Sequence, residues 1–598
     1  MPSQRIELSR RRLVQASGLG AAALAGAGVL SGCKADGGGS GGGRGGRFTM
    51  VADMNPVKQH KNPPMEDDAL LVKQAIAPLF YPKPALYDWN SADYIPMLAE
   101  SVDVDDQAKT LTFVLRQGVE WTDGESVTAT DLAGTFKLAW ALADSSDTTW
   151  PYVDEITVVD ERTVELALSK VFEGVAYKAA TALVHSYARY GEFMDRAGDL
   201  MSKGSDFWGS DEQTAFTSEL SDLSFEDWVS CGPFRFQEQS DNLVVFELHE
   251  EGLFGDKVKF QEVAARVAGN TDILPFLRSG EIDYATNVLT PNDREAVMEL
   301  DGVVELEHAN YSGGGIALNN NRHGEFADVR VRKAMLHAID RDAVAEAAVG
   351  SYGYTENHYD SGYSVLHTEE ILSDTGELVY YEYDVDKAAG LMEEAGWSKD
   401  GGSWSGPDGK AKKYTLIAPE GWTDWTDAAT AIAAQLQDFG LDVEFNPVPQ
   451  EDFLTILPSG EYDMAIRQWG STLRPMPSGA AEWNFFYENL RTKGEPGMGV
   501  ETEGIETEAF GKVSVDEIYQ DAFGSEDYDE MLAANGKIAL IFNEYLPRLP
   551  IWEGKHTSRY RIGLNIGSVE VDDDYADNNP TLDNQLLIAL LQGKVTPA

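Results

Sequence analysis

One arrangement of helix, corner and strand occurs twice in this chain and restricts the folds open to it. Residues 273–285 run from helically spaced apolar side chains, through a Gly-Glu pair, into a strand-like segment, and residues 453–465 repeat this order. A helix that is followed by a short corner and a strand packs on the sheet to which that strand belongs. The repeat therefore predicts α/β architecture with mixed sheets.

Other local patterns predict further elements of both kinds. Apolar and polar residues alternate in strands, whereas apolar residues three or four apart after a capping residue indicate helices. The elements predicted in this way are strands over 48–52 and 111–116, a helix over 67–77, a helix over 132–142 capped by Thr128 or Thr130 with Asp131, hairpins over 156–168 and 234–248, a helix over 426–439 and a strand over 441–445. The polar, acidic residues 211–230 and 491–521 are expected to be surface insertions.

The amino-terminal residues indicate export and lipidation. A twin-arginine segment at 9–14 precedes an apolar stretch at 16–30 and the lipobox Leu30-Ser31-Gly32-Cys33. This order is typical of an export signal that ends at a lipidated cysteine, here Cys33. Twin-arginine signals usually carry folded proteins, so folding is expected to finish in the cytoplasm. The alternative is an uncleaved signal-anchor helix, although the stretch is short and rich in glycine for a membrane span.

A glycine-rich segment separates this signal from the rest of the chain. Residues 36–47 are mostly glycine, and such a composition predicts a flexible tether. The sequence beyond it, about 550 residues, is too long for one hydrophobic core, so two or three domains are expected.

Acidic residues far outnumber basic ones along the whole chain. Asp and Glu number 100 against 47 Lys and Arg, which gives a formal net charge of -53. This charge argues against nucleic acid and against adhesion to anionic lipid, because no basic surface exists to bind either. The even spread favours a protein that works in concentrated salt, where the Debye length is about 3 Å at 1 M. An ordinary acidic secreted protein is the alternative.

The two cysteines leave no intrachain disulfide in the mature chain. Cys33 is taken by the lipid anchor, and Cys231 then has no partner. Cys231 enters a predicted strand within Ser-Cys-Gly-Pro-Phe, where a small buried side chain is expected rather than a nucleophile.

Patterns of known catalytic and metal sites are missing from the sequence. The nine histidines form no H-E-x-x-H or Cys-His cluster, and no G-x-S-x-G or phosphate-binding loop occurs. Pairs of carboxylates carry no catalytic information in a chain this acidic. We therefore expect no enzyme, metal or cofactor, and an extracellular hydrolase remains the alternative from another class.

Seven sequence segments resemble motifs of one protein family, and they follow one another in the same order as in that family. They are Pro96 to Ser101, Phe113 to Gly124 with Val127 to Leu132, Cys231 to Phe234, Leu277 to Asp283, Phe326 to Arg341, Ala388 to Trp397, and Tyr462 to Trp469. The chain resembles extracellular solute-binding protein family 5, the substrate-binding lipoproteins of peptide, oligosaccharide and nickel ABC importers, and its acidity suits a halophilic archaeal member.

The resemblance implies a periplasmic-binding-protein-like fold of type II, with two main α/β lobes around a cleft and a smaller accessory lobe. The expected divisions are a signal at 1–33, a tether at 34–47, lobe I at 48–80 with 229–308 and 545–598, accessory lobe II at 81–228, and lobe III at 309–544. Two crossings near 308–312 and 543–547 are expected to form the hinge.

The resemblance also implies a function. The lipid-anchored protein is expected at the extracytoplasmic face of the membrane, as a monomer that captures a small solute and delivers it to ABC permease subunits. Its lipid is expected to be its only membrane attachment. A sensory lipoprotein with the same fold is an alternative.

The expected ligand site gives mixed indications about the solute. Peptide-binding members place an aspartate for the ligand's amino terminus where Thr472 stands here. Aromatic faces suit sugar rings, cations or apolar side chains. The candidate ligand-binding residues are Asp53, Asn55, Trp422, Trp425, Trp469, Arg474 and Trp483. Oligopeptide and oligosaccharide both remain open as ligands.

Overall fold

Strands and helices are mixed along the chain, as the sequence predicts. The computed structural model describes residues 45–52, 62–65, 76–89, 91, 93–143, 149–308, 310–350, 353–354, 359–470, 477–487, 489, 497–572, 575, 578 and 584–598.

The strands of the described residues follow in chain order. They are β1 (Arg47–Ala52), β2 (Ala85–Asp88), β3 (Asp93–Pro96), β4 (Ala99–Asp105), β5 (Thr110–Leu115), β6 (Val153–Val158), β7 (Thr163–Leu168), β8 (Phe234–Ser240), β9 (Leu243–Leu248), β10 (Glu262–Val267), β11 (Tyr284–Ala285), β12 (Val303–His308), β13 (Ser312–Leu318), β14 (Gly353–Tyr354), β15 (Ser398–Asp400), β16 (Ser403–Ser405), β17 (Lys413–Pro419), β18 (Asp442–Val448), β19 (Met464–Gly470), β20 (Glu503–Thr507), β21 (Gly511–Ser514), β22 (Leu549–Gly554), β23 (His556–Arg561), β24 (Ile566–Val569) and β25 (Val595–Pro597).

The α-helices of the same residues are numbered in the same way. They are α1 (Ala129–Leu142), α2 (Glu173–Ala180), α3 (Tyr187–Met201), α4 (Asp211–Ser221), α5 (Ile273–Ser279), α6 (Pro291–Met298), α7 (Val329–Ala338), α8 (Arg341–Ala348), α9 (Val365–Ile371), α10 (Val385–Glu394), α11 (Thr423–Phe439), α12 (Gln450–Ser459), α13 (Pro477–Glu482), α14 (Val515–Gly524), α15 (Tyr528–Tyr545) and α16 (Gln585–Leu591).

Three larger sheets organise these elements. Sheet A has seven strands in the order β12-β23-β11-β1-β10-β9-β8, and sheet C has six in the order β14-β22-β13-β19-β17-β18. Both mix parallel and antiparallel pairs, since β1 runs parallel to β10 and β11 while β17 runs parallel to β18 and β19. Sheet B is a four-stranded antiparallel sheet in the order β4-β5-β7-β6. The prediction of α/β architecture with mixed sheets is confirmed.

Local sequence signals account for much of sheet B and its helix. Alternate residues Leu111, Phe113 and Leu115 of β5 point into the core and are fully buried. Helix α1 starts with the predicted capping box, in which the Asp131 carboxylate accepts from the Thr128 N–H at 2.8 Å. These interactions are local, which is why the sequence alone predicts them.

Some predicted elements change in the structure. Residues 211–221 of the expected polar insertion form α4, and its Phe216 and Leu220 are buried in the core. The described part of the second expected insertion forms β20, β21 and α14, with Val515 fully buried. The described parts of both segments therefore carry regular structure with some buried apolar side chains, and their assignment as surface insertions stays a prediction. Most of the helix predicted over 67–77 lies outside the described residues.

The lobe boundaries stay a prediction. The residue ranges that supply the strands of each sheet can be compared with them. Sheet A draws its strands from residues 47–52, 234–308 and 556–561, and sheet B from 99–168. Sheet C draws on 312–470 and also on β14 and β22. Strand β22 lies within the range 545–598 expected for lobe I, and it pairs with β13 in sheet C. Within the described chain, no helix has the length and apolar character needed to cross a bilayer.

Candidate ligand-binding cleft

Two short connections join sheets A and C side by side. Strand β12 leads into β13, and β22 leads into β23, with at most three residues between the strands. His308 pairs with His556 in sheet A, and Gly313 pairs with Glu553 in sheet C. The connections therefore run antiparallel and adjacent, which is the geometry of a hinge between two bodies.

Two ionisable groups flank the second connection: Glu553 is buried and His556 is half-buried. Burial raises the pKa of the Glu553 carboxyl to about 8, and its two oxygens accept from the Val365 N–H at 3.1 and 3.2 Å. Burial, together with the neighbouring His308, lowers the pKa of His556 to about 4. Both Glu553 and His556 are therefore mainly uncharged at pH 7, while Lys555 between them pairs with Glu307 at 2.7 Å.

A side-chain hydrogen bond links the loops that follow the carboxyl ends of two parallel strands, one in sheet A and one in sheet C. Asn270 follows β10 of sheet A, and Thr423 starts α11 after β17 of sheet C. The Asn270 Nδ2 donates to the Thr423 Oγ1 at 3.3 Å, and the Asn287 Nδ2 donates to the Asn270 Oδ1 at 3.2 Å. We call the region between these two sheet edges the cleft, because ligands bind beyond the carboxyl ends of strands in α/β folds.

Trp422 and Trp425 lie together at the sheet C edge of the cleft. Their rings are nearly perpendicular, with centroids 4.8 Å apart, and both side chains are half-buried. Trp425 also packs edge-to-face on Phe453 and lies 5.9 Å from the Arg467 guanidinium. The structure thus brings these two candidates into one aromatic corner beside Thr423.

Asp424 lies between those tryptophans in the chain, and the sequence analysis did not single it out. Its side chain is half-buried in the first turn of α11. Burial raises the pKa of its carboxyl to about 7, with the Asp427 carboxylate adding to the rise and the Trp425 N–H opposing it. No signal distinguishes Asp424 among 100 acidic residues except its position between a strand and a helix.

Trp469 packs on the strand next to its own. Its side chain is 2% exposed, and its Nε1 donates to the Gly314 carbonyl oxygen at 3.0 Å. The ring covers Gly313 and Gly315, while Trp552 covers Gly314 from the opposite face of the sheet. The indole therefore contacts the glycine strand β13, and ligand contact by Trp469 stays a prediction.

Trp483 begins a π-helical turn, Trp483–Tyr487, directly after α13. Its Nε1 donates to the Gln468 carbonyl at 3.2 Å, and its side chain is half-buried. The buried Arg548 donates to the carbonyls of Gln468, Trp483 and Asn484 at 3.0 to 3.2 Å. Arg548 thus fixes the π-helical turn against β19, and π-helical turns are frequent at functional sites.

The remaining candidates lie outside the described residues. They are Asp53, Asn55 and Arg474, together with Thr472, the anchor Cys33 and nearly all of the tether. Cys231 is buried and burial raises the pKa of its thiol well above the usual range, which confirms the prediction of a buried structural side chain. Among the described residues, no three His, Cys, Asp or Glu side chains converge as metal ligands would.

Comparison with curated proteins gives distant relatives that are named for peptide transport. The chain is 24% identical over 365 residues to the probable peptide ABC transporter periplasmic-binding protein y4tO of Sinorhizobium fredii. This match covers 59% of this chain and 62% of that protein. It is 23% identical over 336 residues to the dipeptide-binding protein of Escherichia coli, covering 52% and 56%. The matches thus span about three fifths of these relatives.

Solved structures share the fold over nearly the whole chain. One such structure is the mannohexaose-bound oligopeptide ABC transporter, periplasmic oligopeptide-binding protein, from Thermotoga maritima. It aligns with this chain with a TM-score of 0.72 at 19% identity, and the alignment covers 92% of this chain and 98% of the Thermotoga chain. The oligopeptide-binding protein AppA from Bacillus subtilis, in complex with a nonapeptide, aligns with a TM-score of 0.68 at 16% identity, covering 93% and 99%. The likeness confirms the periplasmic-binding-protein-like fold.

The family assignment follows from the extent of the match to a family model. The model described as bacterial extracellular solute-binding proteins, family 5 Middle, matches residues 93–489, which is most of the chain. That range includes sheet B, the first connection, β13 and the Trp422–Trp425 corner. The chain belongs to the extracellular solute-binding proteins of family 5.

Proposed function

We propose that this protein is the extracytoplasmic substrate-binding component of an ABC importer, which captures a peptide or similar solute in the cleft and delivers it to a membrane permease. The observation that supports this most is the pairing of two adjacent connections with facing carboxyl edges of sheets A and C. Two bodies joined in this way rotate about the connections and enclose a solute between them.

Closure follows from differential affinity. A solute that contacts both edges of the cleft binds the closed form more tightly than the open form, and only that difference shifts the equilibrium. The Asn270–Thr423 hydrogen bond links the two edges and belongs to the closed arrangement. The permease then recognises the closed form, so that import follows capture.

Peptide is the first candidate for the solute, because the curated relatives and AppA are named for peptides. Oligosaccharide is the second candidate, and the half-buried Trp422–Trp425 corner favours it. Aromatic faces beside a carboxylate and amide groups suit a ring with hydroxyl groups, and Asp424 and Asn270 supply such groups here. The similar protein from Thermotoga maritima holds mannohexaose.

A thermal-shift screen separates these candidates. Peptides, oligosaccharides and metal ions are added one class at a time to the full chain in molar salt. A solute that binds only the native state raises the free energy of unfolding, by about 2.7 kcal/mol at 100 times its Kd, and Tm rises with it. A rise with one class, and not with the others, supports the solute-binding function and names the class of solute. A flat response to all three classes contradicts it.

The anchor and setting complete the proposal. The mature protein is attached to the outer face of the cell membrane by lipid on Cys33 alone, as a monomer adapted to high salt. Cys33→Ala should release the folded protein into the soluble fraction. If the variant stays with membranes after a high-salt wash, the amino-terminal segment is an uncleaved anchor instead.

The functions from other classes predict different results. A sensory lipoprotein would bind its solute equally well and would lack a permease gene nearby. An extracellular hydrolase would consume the solute, so the compound recovered after incubation would be shortened. Unchanged solute recovered from the complex supports the binding function and contradicts the hydrolase.

A further inference from the structure

A second contact joins distant parts of the molecule, away from the two connections. Phe172 lies between sheet B and α2, and Phe523 lies in α14 on the side of sheet C. Their rings meet edge-to-face with centroids 5.9 Å apart. Gly174 makes this approach possible, since a side chain there would place its Cβ 2.8 Å from the Phe523 ring. Tyr152 completes the cluster against Phe172, with centroids 5.1 Å apart.

Charged groups surround this aromatic contact but add little to it. Lys109 pairs with Glu526 at 3.6 Å, and about half of each side chain is exposed. Lys170 lies 5.9 Å from the centroids of the Tyr152 and Phe172 rings. Exposed ion pairs contribute little, and concentrated salt screens them further. The apolar contact between Phe172 and Phe523 is therefore the part that persists in molar salt.

The chain order shows why this contact depends on closure. The residues of sheet B are inserted between β1 and β8 of sheet A, and the strands of sheet C are all inserted between β12 and β23 of sheet A. Along the backbone, sheet B is therefore joined to sheet C through sheet A. Backbone hydrogen bonds hold sheet B's neighbourhood to sheet A's, from Thr122 to Ser230 at 2.9 Å and from Glu120 to Glu251 at 3.0 Å.

We propose that Phe172, Gly174 and Phe523 form a clasp that is made when the cleft closes and broken when it opens. The proposal rests on the proposed function only in taking sheets A and C to rotate about their connections. Because sheet B moves with sheet A, that rotation separates Phe172 from Phe523. The clasp therefore favours the closed form without touching the solute, and it sets how much of the protein is closed before solute arrives.

Gly174→Ala tests the clasp with a small wedge. The added methyl group would lie 2.8 Å from the Phe523 ring and 3.0 Å from the Phe172 ring, while alanine is well tolerated in the first turn of α2, where Gly174 lies. Gly390→Ala in α10 is the matched control, because a Cβ there meets nothing within 4 Å. Both variants should fold like the wild type by circular dichroism, so a difference between them reports on the clasp.

The readout is the distance between sheets B and C without any solute. Spin labels are placed at Val159→Cys and Asp438→Cys, both on exposed positions, in the full chain carrying Cys33→Ala. The remaining Cys231 is buried. Pulsed electron paramagnetic resonance should show a short-distance population in the wild type and in Gly390→Ala, and a loss of that population in Gly174→Ala. Equal distributions in these three proteins and in Phe523→Ala would overturn the clasp.

Phe523→Ala keeps the proposal testable if the wedge is absorbed by a small shift. This variant should also lose the short-distance population, and adding Gly174→Ala to it should cause no further loss, because the ring that the methyl group meets is gone. Additive losses would show that the two residues act separately and would overturn the clasp. The distance measurement needs no solute, so it can support or contradict the clasp even if the thermal-shift screen finds no ligand. Failure of the clasp is therefore distinguishable from failure of the proposed function.

Discussion

The Nε1 of Trp469 donates a 3.0 Å hydrogen bond to the carbonyl oxygen of Gly314, so the indole is fixed on strand β13 beside the first connection. The fit depends on glycine, since a Cβ at Gly313 would overlap the Trp552 carbonyl oxygen and would lie 2.5 Å from the ring of Trp469. The three glycines of β13 thus make room for tryptophans on both faces of the sheet.

Gly313→Ala should therefore destabilise the protein by overpacking. Enlarging a well-packed site typically costs about 1–3 kcal/mol. Urea unfolding in molar salt measures the loss, and Gly390→Ala serves as the control because its Cβ meets open space. Equal stability of the two variants would show that β13 yields to the added methyl group and that the glycine requirement is not steric.

The hydrogen bond between Asn270 and Thr423 should couple solute binding to closure. Asn270→Ala and Thr423→Ala should each weaken binding of the solute found in the screen, and the double variant should be little worse than either. A net hydrogen bond contributes about 0.5–1.5 kcal/mol, or roughly a 2- to 12-fold change in Kd. Calorimetric titration measures the cycle, and Thr423→Ser, which keeps the hydroxyl group, should bind nearly as the wild type does. Fully additive losses would mean that the two residues do not interact in the bound form.

Glu553 should make the protein less stable as pH rises. Its pKa is about 8 in the folded protein against 4.5 for an ordinary glutamate, so between these values the native state binds the extra proton. The free energy of unfolding then falls with rising pH, by about 1.4 kcal/mol per unit for one proton. His556, with a pKa of about 4 against 6.5, acts in the opposite direction below pH 6.5.

The interval from pH 6.5 to 8 therefore isolates Glu553 from His556. Glu553→Gln keeps an oxygen that accepts from Val365 and removes the titration, so its stability should fall less steeply across this interval. Asp424, with a pKa of about 7, leaves some slope in the variant. Urea unfolding at three pH values measures both slopes. An unchanged slope in Glu553→Gln would show that this carboxyl titrates as an exposed one does.

Salt should decide whether the chain stays folded. A formal net charge of -53 opposes the compact state when counterions are scarce, and concentrated salt screens that repulsion. Far-UV circular dichroism should show native structure in molar sodium chloride and loss of structure at millimolar salt. A neutral osmolyte at equal concentration should not fully restore it. The same ellipticity and Tm at both salt concentrations would reject adaptation to high salt and leave the family assignment intact.

The sequence predicts the parts of this structure that local interactions determine. The Asp131 capping box and the helix 273–279 appear as expected, because each depends on residues a few positions apart. Strand β13 is different. Nothing local in Ser-Gly-Gly-Gly predicts an interior strand of a sheet, and it forms because Trp469 and Trp552, far along the chain, occupy the space above the glycines.

The cleft shows the same division. The tryptophans at 422 and 425 could be proposed from their loop position, and the structure places them at the sheet edge. Asp424 could not, since its raised pKa comes from burial that only the folded chain creates. Trp469 is expected to face the solute from its place in the family pattern; the structure shows its ring packed on the glycines of β13, and its contact with the solute stays a prediction.

Capture of one solute by the cleft is the central claim, and calorimetric titration in molar salt tests it most directly. Oligopeptides and oligosaccharides are titrated in turn into the folded wild type and into Trp422→Ala. We predict a saturable heat with one solute per chain for one of the two classes, and a clear loss of affinity in Trp422→Ala. Folded protein that gives no saturable heat with either class would contradict the account.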